Sequence, residues 1–331
     1  MATAQLNPGE LLEISGYFWK TCALHAAVKL DVFTVIGDGH LSGEEISQKL
    51  NGAQKGVDRL LNALTAMDLL VKTDGIYANS PESKSFLAKD SEKYIGHIIM
   101  HHHHLMESWS QLDQAVITGC PVRTRSSFSN DEWRESFLMG MFNLAMGLAP
   151  KLVPLIDLSS CRRLLDLGGG PGTYAIHFCL NNPRLKATVY DLPTTRPFAE
   201  KTIKRFKLED RIQFVDGNYL TDAIDGHFDA IWLSHILHGE GPDDCRLMIQ
   251  KAVGALAPGG RIIIHDFILN NHMDGPLFPA LFSLNMLLGT ESGQSYSEDQ
   301  IIDMLADAGV MDTRRIAVQS PNDSGIIVGR A

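Results

Sequence analysis

Apolar and polar positions alternate along residues 10–90 with helical spacing, interrupted by one hairpin. "LHAAVKLDVFTVI" carries apolar residues at that spacing, and "KGVDRLLNALTAMDLL" predicts a second amphipathic helix. Between them "LSGEEISQKL" offers Ser42 as a cap with Glu45 three residues on, a capping-box pattern. "VKTDGIYANS" then reads as two short strands around Asp74-Gly75, a pair suited to a hairpin turn. Three helices followed by a β-hairpin is the order of a winged helix. Residues 91–160 read as helical throughout: "IIMHHHHLMESWSQLDQAVITG" stops at Gly119 with Pro121 beyond, and "RESFLMGMFNLAMGLAPKLVPLIDL" follows the polar loop "TRSSFSND".

From residue 161 the texture changes to strand–helix alternation. "RLLDL", "KATVYDLP", "RIQFVDG", "FDAIWLS" and "RIIIHDFIL" are strand-like. "RPFAEKTIKRF", "DDCRLMIQKAVGAL" and "SEDQIIDMLADAG" are helical, as is the segment after Gly172. This alternation predicts an α/β domain with a parallel sheet covered by helices on both faces. The closing hairpin "RRIAVQSPNDSGIIVGR" adds one antiparallel strand. The expected organisation is a helical winged-helix-like module over 1–95, a helical linking region over 96–160 and the α/β domain over 161–331.

Composition narrows the class. With 331 residues, 44% hydrophobic and 21% charged, the chain reads as an ordinary globular protein with room for two cores. No apolar run reaches the roughly eighteen residues of a membrane span. "MATAQLNPGELLEI" lacks a secretion signal, and five scattered cysteines without a CxxC pair read as reduced thiols, so a cytoplasmic location is expected. The net charge of −10 argues against nucleic acid as the main partner. The candidate recognition helix sets Asp58 beside Lys55 and Arg59, so the module is read as a packing and dimerisation unit.

The loop "DLGGGPGTY" is the first strand-to-helix turn of the α/β domain. In such sheets ligands sit at the carboxyl ends of strands, where glycines let a ligand touch the backbone. Counted from Gly168, a nicotinamide fingerprint fails at Thr173; the spacing is G-x-G-x-G over Gly168, Gly170 and Gly172, preceded by Asp166. That variant suits a ligand without a pyrophosphate, such as S-adenosylmethionine. Asp191, twenty-three residues after Gly168, ends the second strand and can accept ribose hydroxyls. The competing reading is a tight turn and helix cap with no ligand.

"FDAIWLS" runs into "HILHGEGPDD", which places His235 and His238 just past a strand end beside the crevice. A hydroxyl acceptor must lose its proton to attack a methyl carbon, and an imidazole can take it near neutral pH. Asp266, at the end of the neighbouring strand, is placed to orient that ring. The alternative for these histidines is a capped turn or a surface ring.

Taken together, "LLDLGGGPGTYA", "VYDLP", "DGNYL", "DAIWLSHILHGEGPDDC" and "LAPGGRIIIHDFIL" resemble the small-molecule O-methyltransferases of the caffeate, acetylserotonin and polyketide-tailoring type. The resemblance spans nearly the whole chain. It implies a Rossmann-like seven-stranded methyltransferase sheet behind a winged-helix-like dimerisation domain, and hence a homodimer. It implies S-adenosylmethionine contacts at the glycine loop, at Asp191 and Leu192, at Gly217, Asn218 and Tyr219, and near Ser234. It puts the general base on His238 and its orienting acid on Asp266, and suggests Phe142, Met146, Phe282 and Met286 as acceptor-pocket walls. The implied acceptor is a small, ring-containing molecule methylated on a hydroxyl, with sulfur, carbon or a non-methylating role as the alternative.

Three positions depart from the family pattern. Asn218 replaces an acid that contacts adenine, Gly239 replaces the acid after the base, and Ser295 replaces the second flanking acid. Separately, His97 and His101–His104 fall on one predicted helix. A pair such as His97/His101 shares a face and could bind a metal, but four in a row point to all sides. They are read as solvated or packed side chains, with pocket groups as the alternative, and no metal site is assigned.

Overall fold

The computed structural model describes residues 6–125 and 130–331. The first five residues and part of the polar loop "TRSSFSND", residues 126–129, lie outside the described residues. The chain forms two compact units, one ending at Leu105 and one spanning Met106–Ala331.

The first unit runs α1 (Pro8–Gly16), α2 (Phe18–Lys29), α3 (Val32–Ile36), β1 (Leu41–Ser42), α4 (Gly43–Lys49), α5 (Gln54–Ala66), β2 (Leu70–Thr73), β3 (Ile76–Asn79) and α6 (Pro81–Leu87). The capping box forms as predicted: Ser42 Oγ accepts from Glu45 N–H at 3.2 Å and the Glu45 carboxylate accepts from Ser42 N–H at 2.7 Å. Asp74 and Gly75 both take positive φ, 49° and 81°, the two-residue turn whose twist matches a hairpin. In α5 Val57, Leu61 and Leu64 line one face and bury it against Phe33 and Ile46. By contrast α1 buries nothing, and Leu12 and Trp19 are 73% and 72% exposed.

Helix α7 (Gly96–Trp109) bears the histidine run. His101 and His104 are buried and His102 is exposed, while His103 lies 3.2 Å from Lys29 Nζ, so the run is part packed and part solvated. The single helix expected over 98–119 breaks into α7 and α8 (Leu112–Thr118). The Ser110 hydroxyl and the Gln111 amide both donate to Glu107 C=O, which competes with continued helix. Gly119 closes α8 in the left-handed region, φ 68°.

The second unit continues with α9 (Asp131–Leu152), β4 (Arg163–Leu167), α10 (Thr173–Asn181), β5 (Lys186–Asp191), α11 (Arg196–Arg205), β6 (Ile212–Asp216), β7 (Phe228–Ser234), α12 (Pro242–Gly254), β8 (Leu256–Phe267), α13 (Leu277–Gly289), α14 (Glu298–Asp307), β9 (Met311–Ile316) and β10 (Ser324–Arg330). The seven strands lie in the order β6-β5-β4-β7-β8-β10-β9, and only β10 runs against the rest. Chain order reverses between β4 and β7, which opens a crevice at their carboxyl ends. The central strands read as unbroken apolar runs because both faces are covered. Leu164, Leu165, Leu167, Trp232 and Ile262–Ile264 are at most 1% exposed. Each such Leu or Ile contributes about 1.5–3 kcal/mol by leaving water.

Residues Asp131–Leu155 are helical, long enough and apolar enough to cross a bilayer by composition, which the run-length count does not reveal. Here Ala149 and Leu152 of α9 belong to the core cluster that also holds Ile176 and Phe178 of α10.

Candidate active site

The crevice is built from five strand ends, those of β4 to β8. At the end of β4, Gly168, Gly170 and Gly172 all adopt positive φ, 64°, 54° and 76°. Glycine is required twice over at Gly168, where a Cβ would stand 2.7 Å from Ile236 Cγ2, whereas a Cβ at Gly170 would project into open space. Asp166 is 1% exposed. Its Oδ2 accepts from Ala175 N–H at 3.1 Å, while Oδ1 is buried without a partner. Burial first, and then the nearby Asp191 charge, push its carboxyl up to about 7.

Asp191 caps β5 and ties the loop to it. Its Oδ2 accepts from Gly170 N–H at 2.8 Å, and its Oδ1 accepts from Leu192 N–H at 2.7 Å and Thr195 Oγ1 at 3.0 Å. A carboxylate offers about four acceptor positions, so three of them are taken. Burial raises its pKa despite these bonds. Beyond β6, Gly217 N–H donates to Asp191 C=O at 3.0 Å, and a Cβ at Gly217 would run into the Tyr190 ring. Asn218 Oδ1 accepts from Leu220 N–H at 2.9 Å, and Tyr219 donates to Glu240 Oε1 at 2.8 Å.

At the ends of β7 and β8, His238 Nδ1 lies 2.6 Å from Asp266 Oδ1. The same carboxylate accepts from Phe267 N–H at 2.8 Å. Burial alone would raise Asp266, but the His238 charge and the histidine hydrogen bonds win and hold it far below the usual carboxylate range. An ionised Asp266 makes Nδ1 the protonated nitrogen of His238 and leaves the Nε2 lone pair to accept a proton. The His238 ring stacks on Phe267 and meets Phe282 of α13 edge-on, with centroids 5.5 Å and 4.8 Å away. His235 sits behind it at φ 56°, a conformation that costs a non-glycine residue on the order of 1 kcal/mol or more. Ser234 Oγ bonds His265 Nδ1 at 2.8 Å, and His265 Nε2 reaches Ser324 Oγ at 3.0 Å.

The ligand atoms of His235, His238 and Asp266 all lie within 4.8 Å of one another, close enough to share a metal ion. Two ligands about 2.0–2.2 Å from one ion stand at least about 2.8 Å apart. The 2.6 Å His238–Asp266 contact is that of a hydrogen bond between the two.

The structure brings together every predicted residue at the strand ends. It also sets Phe282 on the His238 ring, with Met286 buried one turn further along α13. It does not bring Phe142 or Met146 to His238 in the same way: Phe142 lies under the Arg205 guanidinium and Met146 Sδ is 3.4 Å from His177 Nε2. Ser295 is fully buried and donates to Pro279 C=O at 2.8 Å. Sequence reasoning missed a part-buried ion pair, Arg125 Nη1–Glu240 Oε1 at 2.8 Å, and a neighbouring arginine, Arg123. A cleft of about 600 Å³ runs along β4–β6 from Arg163, Lys186 and Arg211 at the strand starts to Val215, Asp216 and Asp222, and neither His238 nor Asp266 lines it.

A family model described as an O-methyltransferase domain matches residues 115–311, and one described as an O-methyltransferase dimerisation domain matches residues 12–89. The chain belongs to this O-methyltransferase family, and it is an S-adenosylmethionine-dependent O-methyltransferase of small molecules. It is similar to a 3-hydroxy-5-methyl-1-naphthoate 3-O-methyltransferase from Streptomyces sahachiroi, 31% identical over 97% of this chain and 95% of that one. It is also similar to the tetracenomycin polyketide synthesis 8-O-methyltransferase TcmO from Streptomyces glaucescens, 30% identical over 97% of this chain and 96% of the other. Relatives at 27% and 28% identity include an N,N-dimethyltransferase from Streptomyces rimosus and an L-tyrosine C(3)-methyltransferase from Streptomyces lavendulae, which match 81% and 86% of this chain and 82% of each relative. Among solved structures, PigF (Serratia) with S-adenosylhomocysteine superposes with a TM-score of 0.90 at 26% identity, covering 98% of this chain and all of the other.

Proposed function

We propose that this enzyme methylates a hydroxyl of a small aromatic or cyclic molecule, with His238 as general base and Asp266 as its orienting acid. The observation that carries this reading is the 2.6 Å Nδ1–Oδ1 contact, which fixes the tautomer that leaves Nε2 free to accept a proton. The residues present fit S-adenosylmethionine. Asp166 offers an unpartnered buried oxygen to a cation, the loop leaves open space at Gly170, and Asp191 keeps an acceptor position for a ribose hydroxyl. Bound there, the cofactor supplies an electrophilic methyl group on a positively charged sulfur.

The chain's own groups then do three things. The glycine loop, Asp191, Leu192, Gly217, Asn218, Tyr219 and Ser234 hold the donor. Phe267 and Phe282 confine the His238 ring and keep water from it. His238 removes the acceptor proton, and Asp266 stabilises the imidazolium that forms. We place the homodimer contact on the exposed apolar face of α1 and α2, within the segment matched by the dimerisation model.

His238→Ala tests the base. The expected outcome is a loss of about 10²–10⁴ in kcat, read by release of S-adenosylhomocysteine, with cofactor affinity retained. A loss below tenfold favours the second reading, transfer to nitrogen, carbon or sulfur, which the activities named for relatives keep in view.

A further inference from the structure

We propose that the acceptor held beside His238 carries a carboxylate, and that Arg123 binds it. The proposal deepens the reading above, since it takes the space in front of His238 as the acceptor site.

Arg123 lies on an extended segment pinned to the end of α13: the N–H groups of Val122 and Arg123 both donate to Leu288 C=O, at 3.0 and 3.2 Å. Its guanidinium packs on Gly289, where a Cβ would stand 2.4 Å from Nη1, so no larger residue fits there without displacing it. Its partners are neutral and distant. Nη2 donates to Asn285 C=O at 3.3 Å and to Asn285 Oδ1 at 3.2 Å, and Nη1 donates to Thr124 C=O at 3.4 Å. Its Nε is buried with no partner. No carboxylate among the described residues pairs with it, whereas Arg125 is neutralised by Glu240. Burial, and then repulsion from Arg125, push the Arg123 guanidinium down to about 10. A partly buried cation without a counter-ion costs stability, and a ligand carboxylate relieves that cost.

Position links this cation to the chemistry. Phe282, Asn285 and Gly289 are spaced i, i+3 and i+7, so they share one face of α13. Phe282 meets the His238 ring on that face, and Arg123 covers Asn285 and Gly289 further along it. With a rise of about 1.5 Å per residue, the cation sits roughly 5–10 Å from the base along the helix. One or two aromatic rings bearing a hydroxyl and a carboxylate span that distance. The Nε–H has no partner and Nη2 holds only neutral acceptors on Asn285, so a carboxylate that accepts from Nε–H and displaces one of those contacts gains the charged pair.

The test uses the full chain with S-adenosylhomocysteine bound. Calorimetry compares 3-hydroxybenzoate and 3-hydroxy-1-naphthoate with their methyl esters, and turnover with S-adenosylmethionine is followed in parallel. At least one acid is expected to bind 30-fold or more tighter than its ester. In Arg123→Met that ratio collapses toward one through KM, and Arg123→Lys restores part of it. Equal affinity for acid and ester in the native protein overturns the proposal, as does a preference that survives Arg123→Met. A parallel loss of S-adenosylhomocysteine affinity in Arg123→Met also overturns it, because the arginine then serves the cofactor. Because binding is read without turnover, failure of His238 as the base shows in the His238→Ala rate and leaves the acid-to-ester ratio intact.

Discussion

Binding of the methyl donor should expel a proton, and the source is Asp166. Its carboxyl titrates at about 7 in the free protein because it is buried with one oxygen unpartnered. A cationic ligand in the crevice favours the ionised form and returns the group toward its ordinary value of about 4. The expected release is then about 0.9 proton at pH 6, 0.5 at pH 7 and 0.1 at pH 8, and affinity weakens about tenfold from pH 8 to pH 6. Calorimetry in two buffers of different ionisation enthalpy reads the proton count directly. Asp166→Asn keeps an acceptor for Ala175 N–H but cannot ionise, so its release should fall near zero apart from what Asp191 contributes. The sign for folding runs the other way. A carboxyl raised on folding favours the native state most at pH below about 4 and loses that contribution as pH climbs through 7, a swing of about 4 kcal/mol. Asp166→Asn should therefore melt higher than the native protein at pH 8 while binding the donor more weakly. Fewer than about 0.2 protons released at pH 6, or the same release from Asp166→Asn, would refute the reasoning.

Three further outcomes follow from the geometry. Gly168→Ala combines a positive φ with a 2.7 Å approach to Ile236, so it should cost about 1–3 kcal/mol in chemical denaturation; an unchanged midpoint would contradict the loop conformation. Asp266→Asn keeps the shape but offers Nδ1 no anion, so kcat, read by release of S-adenosylhomocysteine, should drop by about two decades or more. Leu12→Glu combined with Trp19→Glu should yield monomers in sedimentation, since both side chains are over 70% exposed on the proposed dimer face; a persisting dimer would move the contact elsewhere.

Much of this architecture was readable from local pattern. The parallel strands announce themselves as short apolar runs because both faces are buried, and the Ser42–Glu45 cap and Asp74-Gly75 turn are written in adjacent residues. Asp166, Asp191, His238 and Asp266 were legible because a strand end in an α/β sheet is a position that sequence can locate. What escaped was of two kinds. Helix α13 is apolar nearly all round, so it lacks the period that marks a surface helix. The Arg125–Glu240 pair joins residues 115 apart, and no nearby residue signals it. Gly239 could be noted in sequence only as a missing acid. In the structure the space beside it is taken by the Arg125 guanidinium, whose Nη2 would lie 2.4 Å from a Cβ there. The left-handed His235 is likewise set by the packing of Phe267 and His265 around it.

The His238–Asp266 pair sits at the ends of two adjacent strands in the middle of the sheet, while Phe282 and the seat of Arg123 are carried by one helix inserted between β8 and α14. On the proposed reading, appetite for a given acceptor is lodged in a module that evolution, or a library confined to 277–289 and 120–125, can exchange wholesale. The reaction machinery underneath stays in place whichever molecule is delivered to it.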